Sequence, residues 1–190
     1  MQRISLINFN IDPNPVLNDS VPTAIISTIA NLAVDNMGIN DLTGIEDFIY
    51  LDYLNCDGNN IEELNLTNNT FLTFLICSNN NLNELNVSSC IELSHLQCDN
   101  NNLEELNVSN NTQLIGLTCK DNELNCIEVS DVNFILSGKS DCNWGPQMDC
   151  FQKDDNAIWS LDCNYEASIQ ESLTTSPLLK SFNLQGKDAT

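Results

Sequence analysis

The chain repeats itself every 21 residues. Leu54, Leu75, Leu96 and Leu117 keep that step, and Cys56, Cys77, Cys98 and Cys119 follow two residues behind them without one slip of register. Each copy fits L-x-x-L-x-C-x-x-N-x-L/I, as in "LDYLNCDGNNI", "LTFLICSNNNL", "LSHLQCDNNNL" and "LIGLTCKDNEL", with Asn59, Asn80, Asn101 and Asn122 filling the asparagine column. This is a leucine-rich repeat pattern, in which one short strand per turn points alternate side chains inward. A relaxed copy, "IANLAVDNMGI", precedes them with Val34 in place of cysteine and Met37 in place of asparagine. The array therefore begins at least one turn before the strict copies.

The second half of each turn also repeats. "EELNLTNNTF", "NELNVSSCIE" and "EELNVSNNTQ" place Leu64, Leu85 and Leu106, then Leu66, Val87 and Val108, at matching inward steps. These segments are rich in Asn, Ser and Thr, whose side chains compete for backbone groups and favour turns and extended chain over helix. The fold class that follows is a mainly β repeat solenoid, a short right-handed leucine-rich repeat superhelix. Its turns stack at about 4.8 Å because a single turn cannot bury its own apolar stripe. The expected division is residues 1–28 as a partial N-terminal cap, 29–137 as the array, 138–163 as a C-terminal cap and 164–190 as linker or tail.

The asparagines have a structural reading. At the bend after each strand, a side-chain amide satisfies backbone groups that no ladder reaches. The same composition creates N-x-S/T sequences at Asn18, Asn65, Asn68, Asn86, Asn107 and Asn110, which read as by-products of the repeat.

Nine cysteines raise the question of metal or redox chemistry. Four of them, Cys56, Cys77, Cys98 and Cys119, stand one per turn where leucine is usual, in a line rather than around a point. A zinc site needs four convergent ligands, so these read as small buried hydrophobes, reduced and inert, and no metal or cofactor is expected. In-register strand neighbours rarely offer disulfide geometry. Cys126, Cys142, Cys150 and Cys163 lie where the period decays and both tryptophans appear. An open solenoid end exposes core and must be covered, and an even cysteine count there is consistent with bridges pinning the cover. The expected pairs are Cys126 with Cys163 and Cys142 with Cys150. Cys90, at the convex step occupied by Asn69 and Asn111 in other turns, is expected as a free thiol.

With 27 acidic against 6 basic residues and a formal charge of -21, the chain lacks the Lys and Arg from which nucleic-acid affinity is built. A nucleic-acid partner is excluded on that ground. No apolar run reaches the ~18 residues of a membrane span. The opening "MQRISLINFNID" has no uninterrupted apolar core of the secretory kind, which leaves a cytosolic protein or a mature fragment.

Repeat and cap together resemble the 21-residue leucine-rich repeat proteins secreted by Bacteroidetes-type bacteria, over about Leu6 to Cys163. The segments that carry the resemblance are "GINDLTGIEDF" at 38–48, "ELNVSNNTQL" in the array and "FQKDDNAIWSLDC" at the end. The resemblance implies export to the exterior or cell surface, which would account for disulfides beside buried thiols. Such proteins carry a signal peptide and a longer N-terminal cap, of which "SLINFNIDPNPVLNDSVPTA" looks like the later part. Their sorting pattern is not recognisable in 164–190.

Outward strand positions define the surface available for work. One column is Tyr53, Phe74, His95 and Gly116; the next is Asn55, Ile76, Gln97 and Thr118; the third is Asp57, Ser78, Asp99 and Lys120. Stacked aromatics on such a face suit a binding surface, because Tyr and Phe supply rigid contact area; cross-strand packing that only steadies the sheet is the competing reading. His95 beside Asp99 is the one constellation with any catalytic chemistry, and no nucleophile accompanies it. Asp57 and Asp99 are the positions for a Ca²⁺ site, though no D-x-D-x-D-G loop is present. The expectation is a non-enzymatic, monomeric recognition or adhesion scaffold that binds a protein or glycan on its concave strands. The alternative is a structural spacer of a larger surface protein with no ligand of its own.

Overall fold

The computed structural model describes residues 26–131 and 150–163. Within them the chain winds as a solenoid of parallel strands with almost no helix. Strands β1 (Asn31–Ala33), β2 (Tyr53–Asn55), β3 (Phe74–Ile76), β4 (His95–Gln97), β6 (Gly116–Thr118) and β8 (Cys150–Gln152) form one parallel sheet in that order. On the opposite side β5 (Leu106–Asn107), β7 (Cys126–Glu128) and β9 (Ile158–Ser160) form a second.

Register explains the sequence columns. Leu32, Leu54, Leu75, Leu96 and Leu117 pair in one line from β1 to β6, and all five are buried. Strands β1 to β4 and β7 bury only their middle side chain, so the flanking leucines, cysteines and valines of each turn complete a continuous apolar interior. The relaxed first copy is a genuine turn, with Asn31 opposite Tyr53 and Val34 fully buried at the cysteine step.

The ladder runs past the strands. Cys56, Cys77, Cys98 and Cys119 donate their backbone N–H groups to Ile76, Gln97, Thr118 and Gln152 on the next turn, at 2.8–2.9 Å. The bend then follows on the asparagines. The Nδ2 amide of Asn101 donates to the carbonyls of Cys77 and Cys98, both at 3.1 Å, while its Oδ1 accepts from Leu82 N–H at 3.0 Å. Asn80 does the same with Cys56, Cys77 and Ile61, and Asn122 with Cys98, Cys119 and Leu103. Asn59 bonds Val34 and Cys56 carbonyls and accepts from Ile39. Each interior cysteine carbonyl is thus shared by two successive asparagines.

Asn101→Ala is expected to cost about 2–4 kcal/mol. It strands the Leu82 N–H in the interior and weakens two shared carbonyls, and a buried unmade hydrogen bond costs about 1–3 kcal/mol by itself. Urea denaturation measures this, and a change below ~0.5 kcal/mol would show that the amide is not holding the bend.

A step not anticipated from the sequence precedes each asparagine. Gly58, Asn79, Asn100 and Asp121 all have φ between 53° and 66°, with Asn36 equivalent in the first turn. Only Gly, Asn and Asp enter that left-handed region readily, which accounts for the N-N and G-N doublets.

The aperiodic C-terminal stretch re-enters the array. Leu117 pairs with Phe151 and Ile127 with Trp159, in the same inward columns as the leucines but 34 and 32 residues on. Phe151 and Trp159 meet edge to face at 6.3 Å and pack against the core. The larger rings fill more of the space over the preceding turn than leucine would. Cys126 and Cys163 form a disulfide across this turn. The expected Cys142–Cys150 pair involves Cys142, which lies outside the described residues, as do most of the 1–28 segment and the 164–190 tail.

Candidate functional site

The concave strands carry an aromatic column. Tyr53 and Phe74 approach with ring centroids 6.3 Å apart, and Phe74 stacks nearly flat on His95 at 4.2 Å and 8°. Register places them on adjacent turns, and all three are half-buried. Asn55, Ile76 and Gln97, one outward position further along, are likewise half-buried beside them. The column stops at Gly116, which has no side chain to continue it.

Two residues expected on this face are not available there. Ser78 is 6% and Thr118 3% exposed. The Thr118 hydroxyl donates to the partly exposed Asp99 carboxylate of the neighbouring turn; the Ser78 hydroxyl is buried with no hydrogen-bond partner among the described residues. Asp99 also accepts from Lys120 N–H at 2.8 Å, and Asp57 accepts from Asn79 Nδ2 at 2.9 Å. Both carboxylates are therefore engaged in the turns that follow the strands. No group of three or more His, Cys, Asp or Glu side chains placed to hold a metal occurs among the described residues.

The imidazole has a positional partner instead of a catalytic one. Ser94 Oγ lies 2.9 Å from His95 Nδ1 and donates its single proton to the Thr73 carbonyl at 3.0 Å. Nδ1 must then carry the hydrogen toward Oγ, which is the tautomer opposite to that of a base activating serine. The contact fixes the ring plane against Phe74.

The cysteine column lies just beneath this face. Cys56, Cys77, Cys98 and Cys119 are buried and unbridged, and Cys77 and Cys119 donate their thiols to Gln97 and Gln152 carbonyls at 3.3 Å. Burial pushes the Cys56 thiol up to about 12 and raises Cys77, Cys98 and Cys119 strongly; the neighbouring Asp57 and Asp99 charges push the same way. Such thiols stay protonated near neutral pH, the form that is a poor nucleophile. Cys90 is also free and buried. Where Asn69 and Asn111 each bond two carbonyls, its sulfur lies 3.9 Å from the one carbonyl of Leu66.

The sequence reading missed a second aromatic pair on the lip leading into the concave strands. Tyr50 and Phe71 are 55% and 54% exposed with ring centroids 5.7 Å apart. Their 21-residue spacing was the available signal, but only two turns carry an aromatic there.

Neither a protein-family model nor a curated protein sequence matches the chain. Among solved structures it is similar to the functional domain of InlJ from Listeria monocytogenes, a structure that includes a cysteine ladder. The identity is 42%, the TM-score 0.56, and the match covers 57% of this chain. An internalin C2 from Listeria monocytogenes is 28% identical over 58% of the chain, with a TM-score of 0.49. This chain spans 24% of the InlJ chain and 49% of the internalin C2 chain.

Proposed function

We propose that this chain is a non-enzymatic, exported recognition scaffold, monomeric, whose concave strands bind a protein or a glycan on the outside of a bacterial cell. The observation that carries the reading is the Tyr53–Phe74–His95 column, three rings held rigid on adjacent turns and still partly open to solvent. Rings fixed by their neighbours lose little conformational entropy on contact, which is what a binding surface needs. Asn55 and Gln97 lie beside the column and supply polar rim. The likeness to the functional domain of InlJ, with its cysteine ladder, supports the scaffold reading, and the Cys126–Cys163 bridge supports an oxidising compartment. The secreted Bacteroidetes-type repeat proteins remain the sequence resemblance on which a particular source rests.

The 4.2 Å stack of Phe74 on His95 favours one competing reading, a spacer whose rings only steady the sheet. Tyr53→Ala with Phe74→Ala separates the two. A recognition surface predicts at least ~10-fold weaker binding to a partner captured from cell-surface extract, with the β circular dichroism and thermal midpoint nearly kept. Unchanged capture combined with a midpoint several degrees lower would establish the spacer.

A further inference from the structure

The Tyr50–Phe71 lip is a surface of its own. Tyr50 and Phe71 occupy one step of successive turns, and the next residue in that step is Glu92; Ile91, beside it, is 55% exposed. The lip rings are more exposed than those of the concave column, and they belong neither to the core nor to a strand. Isolated exposed apolar residues are ordinary, but two large rings that meet each other, followed by an exposed isoleucine at the start of the next step, form a patch.

The charge around the patch names the partner. From Ile4 through Cys119 the sequence contains no Lys or Arg at all, while Asp and Glu recur on every turn. Glu92, exposed, occupies the next step of the lip, and the exposed Asp47 lies three residues before Tyr50 in the chain. An acidic segment laid here would meet only like charge. A purely apolar one would leave carboxylates facing it without counter-charge. A planar guanidinium satisfies both features, since it stacks on an aromatic face and offers paired N–H donors to a carboxylate.

We propose that the Tyr50–Phe71–Glu92 lip docks an arginine-bearing segment of a protein partner, with the guanidinium over the rings and against Glu92. This surface is separate from the concave column and does not depend on the reading given to that column.

The test is a selection. A random twelve-residue peptide display library is panned on the whole chain, and the enriched peptides are synthesised. Affinities are then measured for the wild type and for Phe71→Ala, Glu92→Gln and Phe74→Ala, each first shown to keep the wild-type thermal midpoint. The expected result is peptides enriched in Arg that lose at least tenfold in affinity with Phe71→Ala, with Glu92→Gln, and on replacement of Arg by neutral citrulline. Peptides lacking Arg enrichment, peptides indifferent to Phe71→Ala, or no enrichment at all overturn the proposal. Peptides lost only with Phe74→Ala overturn it while leaving the concave surface standing.

Discussion

Raising the pH above 9 is expected to unfold this protein within about two pH units. The cause is the thiol interior. Cys56, Cys77, Cys98 and Cys119 are held above the ordinary value of 9.0 chiefly by burial, and Cys90 is pushed up to about 11. In the unfolded chain these groups lose their protons near pH 9, while in the folded chain they keep them. A group whose folded pKa is raised contributes stability that is complete below its unfolded pKa and disappears as pH climbs toward the folded one. Each thiol removes about 1.4 kcal/mol per pH unit in that window, so the five together remove about 7 kcal/mol per unit at full slope. Marginal stability of about 5–15 kcal/mol does not survive that for long. Equilibrium unfolding followed by circular dichroism from pH 8 to 11.5 checks it, and Cys77→Ala with Cys98→Ala should flatten the slope by about two fifths. A folded state whose stability is level from pH 9 to 11 would refute the account.

Reduction of the Cys126–Cys163 bridge is the second large effect. The bridge spans 37 residues, and a loop of that length restricts the unfolded chain by about 4 kcal/mol in the chain-entropy model. The loss should concentrate in the last turns, because a solenoid's stability is a sum over neighbouring turns. Cys126→Ser with Cys163→Ser is therefore expected to release β8 and β9 in a separate early transition, while β2 to β4 unfold near their original midpoint. Urea unfolding of a Trp144→Phe background, in which Trp159 is the sole tryptophan, followed by fluorescence against circular dichroism resolves the two. A single coincident transition at the wild-type midpoint would count against the bridge as the clamp of this end.

The period made most of the architecture legible. Leu54, Cys56 and Asn59 recur so regularly that strand, buried column and bend could be placed from letters alone, and the pairing of Cys126 with Cys163 was anticipated. Three things were not legible, each for a physical reason. The left-handed step at Gly58, Asn79, Asn100 and Asp121 hides in a chain where asparagine is common everywhere. Ser78 and Thr118 alternate with inward residues and so looked outward, yet alternation does not report burial by neighbouring turns, such as that of Asp99, whose carboxylate accepts the Thr118 hydroxyl. The return of Phe151 and Trp159 to the leucine columns lies beyond a break in spacing, where no earlier copy exists to compare. Of the candidate site, the concave aromatics were read directly, and the lip was not, because two turns make a weak column.

The shared carbonyls set how such a chain can change its length. Because the asparagine of one turn bonds a cysteine carbonyl of its own turn and one of the turn before, every bend is a joint between two copies. Gaining or losing one whole 21-residue unit restores all joints, and the 22-residue step from Leu32 to Leu54 restores them too, since Asn59 still bonds the Val34 and Cys56 carbonyls. A longer irregular segment is compatible with the stack only if the chain takes up the register again after it, and β8 and β9 do so, with Cys150 opposite Gly116 and Ile158 opposite Cys126.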